Sequence, residues 1–222
     1  MIGLQLVTGY SLPSSGPLSL NEAKDHLRIE LDFTADDAQV TRKLKSAIAL
    51  IEEATGRSLL GQTFRQSLDR FPACHEPIRV ARSPLVSVSA FRYVDANGDT
   101  QTLTVGDYYT DVNGEPGIIA PAANDQWPTD ALKRQGSVIV EFSAGYSSNA
   151  VVPSPLVDAV YLVLSHLYEN RSAVVDWNPR ELPMGVESIV MAWRVPELDY
   201  SPDERTNEEI NTALNVVDAW RA

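Results

Sequence analysis

The hydrophobic period of this chain changes twice. Up to Gly56, apolar residues recur at helical spacing. Between Gln62 and Gly145 they sit in short alternating runs separated by turns, and from Val152 the helical spacing returns. A chain ordered this way is predicted to be α+β: a helical core, an inserted antiparallel β module, and a C-terminal helical tail. The boundaries fall at 1–17 (an N-terminal arm), 18–61 (first part of the helical core), 62–152 (β module), 153–194 (second part of the core) and 195–222 (acidic linker and amphipathic helix).

In "PLSLNEAKDHLRI", Ser19 and Glu22 form a capping box, and Leu20, Ala23 and Leu27 predict a helix over 20–28. In the next segment Thr34 is the expected cap, with Asp36 and Asp37 at the positive helix end. Val40, Leu44, Ala47, Ile48, Ile51 and Ala54 form one apolar face, and Gly56 ends the helix. The β runs are "TFRQSLDRF", "PIRVA", "VSVSAFRYV", "TQTLTV", "YYTDV", "GIIAP" and "SVIVEFSAGY". Strict alternation in the third would put Val86, Val88, Ala90 and Arg92 on one face and Ser87, Ser89, Phe91 and Tyr93 on the other. Asn97-Gly98 and Asn113-Gly114 are hairpin-turn signals.

"VPSPLVDAVYLVLSHLYENR" is apolar on most sides, as a central, enclosed helix should be, with Ser154 as its cap and Pro155 at its first position. A short helix, "VESIVMAWR", follows. Residues 195–222 carry seven acids and two bases, and a Thr206/Glu209 capping box opens a last helix. Ile210, Ala213, Leu214, Val217 and Trp220 trace its stripe. An acidic linker followed by such a stripe suits docking into a partner's groove.

The net charge of −12 disfavours binding to phosphate backbones, which needs clustered Lys and Arg. The single cysteine, Cys74, excludes an internal disulfide framework and fits synthesis in a reducing cytoplasm. No apolar run approaches the roughly 18 residues that span a bilayer, and the N-terminus does not read as a secretion signal.

No catalytic or ligand-binding constellation stands out in the sequence. His26, His75 and His166 lie in no metal-ligand spacing, and adjacent Cys74 and His75 read as a loop. No P-loop, dinucleotide fingerprint or nucleophile elbow is present, and no pair of acids is singled out for hydrolysis. "DANGD" and "DVNGE" lack the calcium-loop pattern. "HLYENR" offers five functional groups in six residues, but it reads first as a helix terminus, with Arg171 complementing the negative end of the macrodipole. The aromatic and acidic stretches "AFRYVD", "DYYTD" and "DQWPTD" leave a second reading open: a β-module binding protein that decorates a capsid or engages a host surface.

The order "SLNEAKDHLRI", "LKSAIALIEEATGRSL", "RSPLVSVSAFRYVDANGDTQTL", "YYTDVNGEPGIIAP", "VIVEFSAGY", "VPSPLVDAVYLVLSHLYENR" and "LPMGVESIVMAWR" resembles the head–tail connector (adaptor) proteins of long-tailed double-stranded-DNA phages, in the longer branch with a β insertion. The resemblance runs from Leu18 to Arg194 and weakens beyond. It implies a structural virion protein without enzymatic activity or cofactor. Such a protein forms a ring, commonly a dodecamer, under the portal protein, extends the channel for genomic DNA, and presents a surface to the next head-completion (stopper) or tail protein. Its place is the virion neck, after assembly in the host cytoplasm and with no membrane involved. Ser19, Glu22, Thr55 and Arg57 are then expected in the helical core and its subunit contacts. So are Tyr168, Glu169 and Arg171. Ile210, Leu214, Val217 and Trp220 are expected to dock on the portal.

Overall fold

A computed structural model describes residues 2–73, 75–123, 125–130, 135–170 and 184–196. Two hydrophobic clusters organise it, one helical and one built from strands.

The chain opens with β1 (Ile2–Thr8), a strand within the expected N-terminal arm. It pairs antiparallel with residues 63–68, some 60 positions away. α1 (Leu20–His26) begins at Ser19, whose Oγ accepts from the Glu22 amide at 3.3 Å. The return bond of a full capping box is replaced: the Glu22 carboxylate instead accepts from the Tyr161 hydroxyl at 3.3 Å. The loop after α1 is held by Lys24, which is 1% exposed. Its Nζ donates to the carbonyls of Leu31 and Phe33, each at 2.8 Å, and pairs with Asp37 at 2.9 Å. Burying this cation is tolerable because each charged or polar partner is supplied.

That clamp also shifts the start of α2 (Asp37–Thr55). Asp36, not Thr34, is the N-cap, and Thr34 contributes only its carbonyl, to the Asp37 amide at 3.2 Å. Val40, Leu44, Ala47, Ile48 and Ile51 are fully buried, as their spacing predicts. Gly56 ends the helix at φ 71°, a left-handed conformation that glycine adopts without penalty.

The strands follow: β2 (Gln62–Leu68), β3 (Ile78–Arg79), β4 (Leu85–Val94), β5 (Thr100–Leu103), β6 (Tyr108–Asp111), β7 (Ile118–Pro121) and β8 (Val138–Ala144). They form a five-stranded sheet in the order β1-β2-β8-β4-β5 and a three-stranded sheet in the order β3-β7-β6, antiparallel throughout. β2 and β8 alternate strictly between buried and half-buried positions, so Phe64, Val138, Val140, Phe142 and Ala144 reach the strand core.

β4 does not alternate as expected. Register shifts against β8 occur between Leu85 and Ser87 and between Val88 and Ala90. Each adds a residue and moves the following side chains to the other face. Leu85, Val88, Phe91 and Tyr93 therefore serve the core, while Val86 is 52% exposed. The Asn97-Gly98 turn closes β4 onto β5, with Gly98 at φ 94°. Asp95 anchors it, accepting from the amides of Asn97 and Asp99 and from the Gln101 side chain at 2.8–3.0 Å. Asn113-Gly114 sits instead in a longer loop joining β6 to β7. Asp111 rather than a two-residue turn shapes it, accepting from the Asn113 amide at 2.9 Å.

α3 (Ser154–Glu169) begins one residue earlier than expected, with Pro153 at the N-cap and Ser154 inside the helix. Leu156, Ala159, Val160 and Leu164 are fully buried, so α3 is central to the helical cluster, but Asp158 and Leu162 are exposed, so it is open along one side and not enclosed as its composition implied. α4 (Met184–Trp193) closes the cluster through Val186 and Val190. The Val195 amide then bonds the Thr55 carbonyl at 2.8 Å, so the linker expected to begin at 195 starts against the core.

Candidate functional site

Nothing in the described residues assembles a reaction centre. His26 stacks on Tyr161 with ring centroids 5.0 Å apart and bonds Ser165, His75 bonds the Asp125 carbonyl at 2.7 Å, and His166 lies against Asn170. The three have separate partners, and no group of metal-ligating side chains is found among the described residues. Cys74 lies outside them. The stretches that left a sugar- or protein-binding reading open are largely interior. Phe91, Tyr93 and Trp127 are each at most 9% exposed and pack around Phe71, with Trp127 stacked on it at 5.2 Å. Of these aromatics, Tyr109 is the outward one.

A densely bonded group is Arg57, at the seam between the two clusters. It is 6% exposed. Its Nη1 and Nη2 donate to the two carboxylate oxygens of Glu115 at 2.6 and 2.5 Å. Its Nε donates to the Trp193 carbonyl at 2.7 Å, Nη1 also reaches the Tyr146 hydroxyl at 3.4 Å, and the guanidinium lies 5.6 Å from the Trp193 ring centroid. A planar fork with five donors suits this arrangement and an ammonium does not. The result ties α2's end, the β6–β7 loop, the segment after β8 and α4 to one side chain. The Arg57 hydrogen bonds beside Glu115 hold its carboxyl below the usual carboxylate range. Arg57 was assigned to the core by resemblance. Glu115, 58 residues on, carries no sequence signal for the pairing.

A buried acid, Glu52, lies five residues earlier in the chain. Glu52 accepts from the Leu59 amide at 2.7 Å and from the Gln62 side chain at 2.8 Å. Burial pushes its carboxyl up despite these bonds. Thr55 closes on its own helix, donating to the Ile51 carbonyl at 2.6 Å. Arg82 bonds the Glu52 carbonyl at 2.8 Å and pairs with Glu53. At the other end of the helical cluster, Tyr161 accepts from the Leu18 amide at 3.0 Å, and burial pushes its hydroxyl up to about 12. Neither partner choice was legible in the sequence.

At the end of α3, Tyr168 packs against the helical cluster, and its hydroxyl donates to Asp36 at 2.9 Å. Lys43 donates to the Leu167 carbonyl, and Asn170 caps the helix through the His166 carbonyl at 2.9 Å. Glu169 is exposed. Arg171 and the tail residues Ile210, Leu214, Val217 and Trp220 lie outside the described residues.

Comparison with known proteins places this arrangement. Residues 17–111 match the family of phage gp6-like head–tail connector proteins. No curated protein matches the chain. Among solved structures, a chain in the neck of an empty gene transfer agent (GTA) particle, computed with C6 symmetry, superposes with a TM-score of 0.68 at 25% identity, covering 89% of this chain and 97% of that one. A chain in the neck of the native GTA particle, computed with C12 symmetry, gives 0.67 at 25% identity, covering 87% and 97%. A chain of the native GTA virion gives 0.69 at 26% identity, covering 88% and 96%. The resemblance carried by the sequence is thus met twice over: residues 17–111 bear the pattern of the gp6-like head–tail connector family, and the fold is similar to that of chains in GTA necks.

Proposed function

We propose that this chain is a structural virion protein of the neck, a head–tail connector without enzymatic activity. It forms a closed ring under the portal, extends the DNA channel, and presents the docking surface for the next head-completion or tail protein. The observation that carries this reading is the shared fold over nearly the whole length of the GTA neck chains, one of them solved with C12 symmetry. The twelve-copy ring is carried over from that symmetry.

Two physical features support it. The net charge of −12 per copy suits a passage through which DNA slides, because attraction to phosphates would act as a brake. The Arg57 clamp joins helical and strand clusters, as a part that bears load between two partners requires. The tail carries the portal contact in this proposal, with Ile210, Leu214, Val217 and Trp220 as its apolar stripe. Tyr168, Glu169 and Arg171 belong to the core and its subunit contacts. The test is to mix purified chain with portal rings and measure mass and shape by native mass spectrometry and negative-stain microscopy. A ring of this chain on the portal is expected. A chain that never joins the portal, even at high concentration, contradicts the proposal.

A further inference from the structure

We propose that β1 is a strand through which each copy contacts a second copy of this chain. The inference rests on the ring reading above and names the surface that would build it. β1 is an outermost strand of the five-stranded sheet, bonded to β2 on one side and without a neighbouring strand on the other among the described residues.

Its leucines lie on the core face of the sheet, Leu6 at the end of an apolar row and Leu4 at the end of a row that passes through the buried Gln66. Across the sheet, Leu6 is in register with Phe64, and Phe64 with Phe142. Leu4 is in register with Gln66, Gln66 with Val140, and Val140 with Phe91. Residues directly opposite share a face. Phe142, Val140 and Phe91 are at most 1% exposed, yet Leu4 is 38% and Leu6 51% exposed. The core face of the sheet therefore runs out past its own cover and ends on two uncovered leucines.

Natural edge strands are guarded by charge, proline or a bulge. Ile2–Leu6 has no charge and no proline, and the one register shift lies beyond, between Leu6 and Thr8. Charged side chains are also absent on a larger scale: the first Asp, Glu, Lys or Arg in the sequence is Glu22. Identical copies at −12 repel one another, so the surface on which they meet with least cost is one that buries no charge. A ring closes through heterologous contacts, in which β1 of one copy meets a different surface of the next.

The experiment compares wild type with Leu4→Lys/Leu6→Lys, full length, by mass photometry and sedimentation over a concentration series and in assembled particles. A third sample carries p-benzoylphenylalanine at position 6 for photo-crosslinking. Both leucines are solvent-accessible in the single copy, so the double variant should keep the wild-type melting temperature. Self-association should weaken more than about tenfold, because unpaired ammonium groups are costly in an apolar contact. Crosslinks should join position 6 to a surface of another copy other than its β1. A wild-type ring that the double variant also forms with equal affinity overturns the β1 contact and leaves the ring reading standing. A wild-type chain that stays a single copy in solution and in particles overturns both. Crosslinks to residues 197–222 of the same copy, or to a different protein, overturn the choice of occupant.

Discussion

Replacing Arg57 by alanine should be among the most damaging single changes at the seam of this protein. The side chain is 7% exposed, so its removal strips partners that water does not readily reach. The Trp193 carbonyl loses a charge-assisted donor at 2.7 Å, a loss on the order of 1.5–3 kcal/mol. The pair with Glu115 adds about 1 kcal/mol, discounted because the Glu115 side chain is 41% exposed and can rehydrate. Contact with the Trp193 ring contributes roughly 0.5–1 kcal/mol more. Together the expected cost is about 3–5 kcal/mol, or roughly 10 °C in melting temperature for a chain of this size. Arg57→Lys should recover the charge without the fork and so regain less than half. Glu115→Gln should cost about 1 kcal/mol. Urea unfolding followed by circular dichroism and tryptophan fluorescence reads all three. Because Arg57 joins the two clusters, the two probes should separate in Arg57→Ala while coinciding in wild type. An Arg57→Ala protein within about 1 kcal/mol of wild type, with coincident transitions, would refute the reasoning.

Other perturbations test other parts of the structure. Leu164→Asp places a carboxylate at a fully buried position of α3 and should abolish the folded state, seen as loss of the cooperative melt; wild-type-like stability would remove α3 from the centre of the core. Burial raises the Glu52 carboxyl above its unfolded value, so its contribution to stability is present at low pH and is lost as pH rises through the raised folded value. Glu52→Gln should therefore flatten the fall in urea midpoint with rising pH, and an unchanged profile would count against a buried, proton-binding Glu52. Gly145→Ala should be strongly destabilising, because φ is 125° and an added Cβ would lie 2.4 Å from the Leu60 carbonyl oxygen. Its melting temperature should fall by several degrees or more. Removing residues 197–222 should leave the melt intact and weaken portal attachment in a pull-down; an unfolded product would mean that the tail belongs to the core.

The helices were legible because their burial is periodic and local. The α2 face from Val40 to Ile51 and the buried face of α3 each follow from residues a few positions apart. The β runs were legible for the same reason in β2 and β8, where alternation is unbroken. Sequence reading failed where a distant partner sets the geometry. β1 carries a short alternation, Ile2, Leu4 and Leu6, but its pairing partner lies some 60 residues on and its leucines are half exposed, so this one local signal did not place it in a sheet. The β4 faces went wrong because two register shifts against β8 override alternation. The cap of α2 moved from Thr34 to Asp36 in a loop tied down by Lys24, a residue on the preceding helix. The same holds for the seam: Arg57 stands out as a basic residue after a helix-ending glycine, but Glu115, Tyr146 and Trp193 are joined to it by folding alone. The family resemblance rested on the order of many weak segments, and order survives such local misreadings.

The most direct test of the connector account is a cryo-electron-microscopy reconstruction of particles assembled with this chain carrying a visible tag. The account expects tag density in a closed ring on the portal axis, between the head and the first tail component, with twelve copies as in the C12 neck of the native GTA particle. Tag density scattered over the capsid surface, or absent from the axis in particles that contain the chain, would contradict it.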